Sequence, residues 1–189
     1  MSQSQKEGFL HHLAQNPDDD EARLVFSDWF EENGDLDRAQ FIRFQVERSR
    51  LPEWDARCVL LRLQEQELLN KHQERWRAEL PKISGVTWGD FHRGFVTTAS
   101  FKKFEQLKVS AEQCWAATPL ESISIRWPIP HDQIEELNPI TGLRELKLEA
   151  RAVTFDQIDQ LAHAPLLSTL HSLNVDGCEL GSEGFSCTL

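Results

Sequence analysis

The side chains with the most chemical potential in the first third of the chain are carboxylates: Asp18, Asp19 and Asp20, then Asp28, Glu31 and Glu32. Such a set can hold a divalent cation or split general acid and general base between two carboxyls. The spacing fits neither a calcium-binding loop nor a zincin helix. On a helix Asp28, Glu31 and Glu32 share a side, and Arg23, Arg38 and Arg43 lie close in sequence. Helix caps and structural ion pairs are therefore the expected roles, including a partly buried network of Arg23 with Asp28 or Asp35. His11, His12, His72, His92, His131, His163 and His171 show no metal-ligand spacing and read as surface or packing groups. Cys58, Cys114, Cys178 and Cys187 form no C-x-x-C pair, which excludes zinc-ribbon and thioredoxin-like chemistry. Cys58 and Cys114 sit among Leu, Val and Trp, where a thiol acts as a small buried hydrophobe. No nucleophile-elbow, P-loop or dinucleotide fingerprint occurs. No catalytic residue, cofactor or metal ligand is assigned.

Composition narrows the partners. The chain has 189 residues, 20 Lys+Arg against 31 Asp+Glu and a net charge of −11. At 40% hydrophobic and 27% charged it has enough apolar material for a folded core. The acid excess argues against nucleic acid or an anionic membrane surface as main partner, because both need a basic footprint. Phe9, Leu10 and Leu13 are interrupted by His11 and His12, so no signal peptide or membrane span is read, and the cytoplasm is the expected compartment. Charge is uneven: −5 over residues 1–50, +1 over 51–120 and −7 over 121–189.

The elements that must position these groups begin with three short helices over residues 4–50. Ser4-Gln5-Lys6-Glu7 reads as a capping box for a helix carrying Phe9, Leu10 and Leu13 and ending at Asn16-Pro17. Asp18 to Glu21 supply the carboxylates of a second helix start. Ala22, Val25, Phe26, Trp29 and Phe30 then give one apolar face, closed by Gly34. Asp35 caps a third helix with Leu36, Ala39, Phe41, Ile42 and Val46. Over 51–81 a connecting helix of about 40 Å is expected, its stripe of Trp54, Cys58, Leu61, Leu68, His72, Trp76 and Leu80 interrupted by Glu65 and packed on the chain's own helices.

The run from Pro17 to Asp35, PDDDEARLVFSDWFEENGD, and its continuation RAQFIRFQ at Arg38–Gln45 resemble the bacterial repeat-companion domain. That small helical module commonly precedes leucine-rich or other repeats. The departures are mild: Phe26 replaces a usual Tyr, Ser27 an Ala, Phe30 a Leu and Gln40 a Glu. The likeness covers residues 5–50. It implies an architecture and no particular reaction.

Residues 82–189 fit that architecture. Gly85–Trp88 and Gly94–Ala99 read as short strands, and Phe104, Leu107, Ala111, Cys114 and Trp115 as a helix face, so residues 82–119 are expected to cap a solenoid. Within 120–189 a phrase recurs: Leu120-x-x-Ile123-x-Ile125, Leu143-x-x-Leu146-x-Leu148 and Leu170-x-x-Leu173-x-Val175. Its intervals of 23 and 27 residues lie in the leucine-rich-repeat range. The third copy continues to Cys178 and Leu180, whereas the first two carry Pro128 and Arg151 where the motif wants Asn or Cys. Helices are expected at 132–137 and 155–162. The expected fold is α+β: a helical module, a long connecting helix, and about three repeats with a parallel sheet.

In such repeats the residues alternating with the buried ones form the concave face. Here they make three rows: Ser122–Glu145–Ser172, Ser124–Lys147–Asn174 and Arg126–Glu149–Asp176. Polar and net acidic, the rows fit a protein partner with a polar or modestly basic patch. Together these features point to a non-enzymatic interaction or scaffold module. The alternatives are a small metal-dependent hydrolase using the acidic helices, and self-association through the C-terminal solenoid end.

Overall fold

The computed structural model describes residues 3–126, 142–149, 152–153, 170–174 and 179–180, with 152–153 and 179–180 described by backbone alone. Among them are five helices and a mostly parallel five-stranded sheet, a mixed α+β fold. The chain forms two compact units: Met1–Lys82 with Asp90–Thr97 and Glu112–Pro119, and Ile83–Gly89 with Thr98–Ala111 and Leu120–Leu189.

Carboxylates open two helices of the first unit. Asp19 accepts the Ala22 N–H at 2.8 Å at the start of α2 (Asp20–Glu32), and Asp35 accepts the Arg38 N–H at 3.2 Å at the start of α3 (Leu36–Arg50). Between them Gly34 takes φ +85°, a left-handed turn that costs glycine nothing. Ser4 behaves differently from its expected role: α1 (Gln3–Gln15) already includes it, so it is not the N-cap. Leu10, Leu13, Phe26, Phe30, Ala39, Ile42 and Val46 close into a core. Phe26 stacks on Phe9 at 4.6 Å and on Phe95 at 5.3 Å.

The connecting helix, α4 (Arg57–Ala78), has 22 residues and a length of about 33 Å. Cys58, Leu61, Leu68 and Trp76 are buried along it. Trp54 is not part of that stripe; it precedes the helix and is 86% exposed. A tight hairpin belongs to the same unit: β2 (Phe91–His92) pairs antiparallel with β3 (Phe95–Val96). Its two turn residues, Arg93 and Gly94, both have positive φ, the geometry that matches strand twist in a two-residue hairpin loop. Gly94 is pressed on α3: a Cβ there would lie 2.5 Å from Ile42 Cγ1.

In the second unit β1 (Val86–Trp88) runs antiparallel to β4 (Thr98–Phe101) at the sheet edge. From β4 the chain crosses through α5 (Phe104–Ala117) to β5 (Ser122–Arg126), and β4, β5, β6 (Glu145–Glu149) and β8 (Ser172–Asn174) are parallel neighbours in that order. A parallel pair needs such a crossover, since a tight turn can only reverse the chain. Ala99, Phe101, Ile123, Ile125, Leu146 and Leu148 are all buried, alternating with the opposite face as the pleat requires. A second parallel pair, β7 (Ala152–Val153) with β9 (Glu179–Leu180), has the same 27-residue offset as Glu145 and Ser172. The expected helices at 132–137 and 155–162, together with Pro128, Arg151, Cys178 and Cys187, lie outside the described residues.

Candidate functional site

The alternating residues of the parallel sheet stand in lateral register. Ser122 pairs with Glu145 and Glu145 with Ser172; Ser124 pairs with Lys147 and Lys147 with Asn174; Arg126 pairs with Glu149. Asp176, assigned to the third row, lies outside the described residues.

Two strands on the other side extend the rows. Thr98 aligns with Ser122, Ser100 with Ser124, and Thr87 with Ser100. One row is therefore Thr87–Ser100–Ser124–Lys147–Asn174, five strands wide and about 19 Å across at the usual strand spacing. Sequence reading missed Thr87, Thr98 and Ser100. A signal was present: Val96-x-x-Ala99-x-Phe101 has the same form as Leu120-x-x-Ile123-x-Ile125, with small or aromatic residues at the buried positions. The steps from Thr98 to Ser122, Ser122 to Glu145 and Glu145 to Ser172 are 24, 23 and 27 residues.

Ser100, Ser122, Ser124, Glu145 and Lys147 bond among themselves on this face. Ser124 and Ser100 hydroxyls meet at 2.6 Å, and the Ser122 hydroxyl donates to Glu145 Oε2 at 2.7 Å. Lys147 Nζ reaches Glu145 Oε2 at 3.1 Å. Partial burial pulls the Glu145 carboxyl upward, but the hydrogen bonds from Ser122 and Lys147, with the Lys147 charge, outweigh it. The net effect holds Glu145 below the ordinary carboxylate value. The described face thus grades from hydroxyls on β1, β4 and the start of β5 to charge at Arg126 and along β6. Arg126 and Lys147 balance Glu145 and Glu149, so the acid excess read from sequence rests on Asp176.

Asp20, Asp28 and Glu31 of the helical unit are drawn into ion pairs. Arg43 reaches Asp28 at 2.6 Å and Glu31 at 2.5 Å, and its Nε donates to Ser27 at 3.1 Å. Asp35 is held by Arg75 at 2.9 Å. The expected Arg23 pairing with Asp28 or Asp35 is replaced by a fully buried Arg23 whose Nε lies 4.0 Å from Asp20 and whose Nη2 donates to the Pro17 carbonyl at 3.0 Å. The reason is helix geometry: three residues bring Asp20 beneath Arg23, whereas Asp28 projects toward Arg43 of the next helix. Among the described residues no group of three or more His, Cys, Asp or Glu is placed to hold a metal ion. No helix among them is long and apolar enough to cross a membrane. Compared with protein-family descriptions, curated proteins and solved structures, the chain matches none.

Proposed function

We propose that this chain is a non-enzymatic, cytoplasmic protein-interaction module in which a repeat-companion-like helical unit precedes a short leucine-rich-repeat-like solenoid. The polar sheet face takes a protein partner bearing a polar, modestly basic patch. The observation that carries this reading is the five-strand row in continuous register from Thr87 to Asn174. That row presents the Thr87 and Ser100 hydroxyls, the Lys147 charge and the Asn174 amide, with Ser124 buried among them, which suits recognition of an extended polar segment. The 24-, 23- and 27-residue steps favour repeats, with β1 serving as the starting cap.

The test is capture from the native cell with the full chain and with a Glu149→Lys/Asp176→Lys variant, compared by quantitative mass spectrometry. Proteins enriched by the parent chain and lost with the variant support the sheet face. Equal capture by both moves the interaction elsewhere. Self-association is the second reading, favoured by β8 standing outermost in the described sheet order. Light scattering over a concentration series tests it, and a strict monomer contradicts it.

A further inference from the structure

Within the helical unit a cavity of about 540 Å³ opens beside α1, the end of α4, the hairpin and the last turn of α5. Its apolar walls include Phe30, Trp76, Phe91 and Phe95. Arg38 lines it as well, 7% exposed, its guanidinium carbon 4.7 Å from the Trp76 ring centroid and 5.3 Å from that of Phe91. Arg38 Nη1 is buried without a hydrogen-bond partner, and so is Trp76 Nε1. Two donors of residues that line the cavity therefore lack an acceptor, both of them sealed beneath its surface.

The carboxylates nearest in effect are already engaged. Glu79 and Asp35 favour the charged guanidinium, yet Glu79 is bonded to Lys6 at 2.6 Å and Asp35 to Arg75 at 2.9 Å. Burial outweighs their help and lowers the Arg38 pKa to about 10, which still leaves it cationic at neutral pH. Aromatic faces stabilise the cation but supply no acceptor for its N–H groups. A carboxylate would do so, matching the planar fork of the guanidinium.

We propose that this cavity binds a small organic monoanion, a carboxylate carried on a flat apolar body, with the Arg38 guanidinium as donor and Phe30, Trp76, Phe91 and Phe95 as walls. A phosphate dianion fits less well, because Glu7 and Glu79 stand among the lining residues and Lys6 is already paired. All of its lining residues belong to the helical unit, and binding there does not depend on the interaction role.

The test uses the full chain labelled with ¹⁵N and probes the Trp76 Nε1–H signal, assigned through Trp76→Phe. Phenylacetate is titrated beside phenylacetamide, acetate and inorganic phosphate at neutral pH. The expected result is a saturable shift with phenylacetate, and at least about tenfold weaker binding for the other three, which lack the charge, the ring or the planar monoanion. Arg38→Lys keeps the charge and loses the fork, and it weakens phenylacetate by about tenfold. Should that variant fail to fold, Ala117→Leu narrows the cavity with Arg38 intact and abolishes the shift. The proposal is overturned by no shift up to about 10 mM, by equal binding of phenylacetate and phenylacetamide, by phosphate binding as tightly, or by binding that survives Ala117→Leu.

Discussion

Arg48 of α3 holds Glu65 of α4 through two hydrogen bonds, Nε to Oε1 at 2.5 Å and Nη2 to Oε2 at 3.1 Å. Gln45 adds a third, donating to Glu65 Oε2 at 3.0 Å while its own carbonyl accepts the Gly94 N–H at 2.8 Å. One carboxylate in the apolar stripe of α4 thereby ties two helices together, and the same glutamine carries the connection to the hairpin.

Removing it should be costly. Glu65 is 5% exposed, so Glu65→Ala leaves Gln45 and Arg48 short of their acceptor in a nearly dry site. A fully buried pair broken this way costs more, but Arg48 retains some solvent access, so about 2 kcal/mol is expected. Urea denaturation followed by circular dichroism measures it. A loss under about 0.5 kcal/mol would mean that the carboxylate is not integral to the helix pair.

Two glycines separate backbone strain from crowding. Gly34 and Gly94 both have positive φ, but a Cβ at Gly34 meets nothing within 4 Å, whereas at Gly94 it collides with Ile42. Gly34→Ala should cost about 1 kcal/mol from conformation alone, and Gly94→Ala about 3 kcal/mol once the clash is added. Equal losses in parallel denaturation curves would refute the close packing of the hairpin on α3.

Exposed ion pairs should matter little. The Asp28 side chain is 65% exposed, and Arg43 keeps Glu31 when Asp28 is lost. Asp28→Ala should therefore shift stability by no more than about 0.5 kcal/mol. A saturable divalent-metal signal in calorimetry that disappears with Asp28 would instead revive a metal role for these carboxylates.

On the sheet face, pH provides the probe. Glu145 is held below the usual carboxylate value in the folded chain, so its contribution to stability is complete above the unfolded value and fades as pH falls through the folded one. Ser122→Ala removes one of the hydrogen bonds that lowers it, and the Glu145 titration midpoint should rise. Side-chain carbon NMR reads that midpoint directly; an unchanged value would show that the Ser122 contact is not formed in solution.

Local chemistry is the readable part of this sequence. Asp19 and Asp35 announce two helix starts because capping involves neighbours three residues away. The alternation in 122–126 and 145–149 likewise announces which side chains share a face. Where partners lie far along the chain, residue type misleads. Arg38 reads as a charge that neutralises nearby carboxylates but is enclosed by Phe30 and by Trp76, Phe91 and Phe95 from distant segments. Glu65 reads as a break in the stripe until Arg48 and Gln45 supply its partners. Ala99 and Phe101 conceal an additional parallel strand because neither is Leu or Ile.

For the interaction role, the decisive measurement is the affinity of the captured partner for three forms of the full chain, read by calorimetry at low and physiological salt. Lys147→Glu makes the face more acidic and Glu149→Lys makes it more basic. Charge recognition by the sheet face predicts tightest binding for Lys147→Glu, intermediate binding for the parent chain and weakest for Glu149→Lys, with the spread shrinking as salt rises. Three equal affinities, or the reverse order, would contradict recognition of a basic partner by this face.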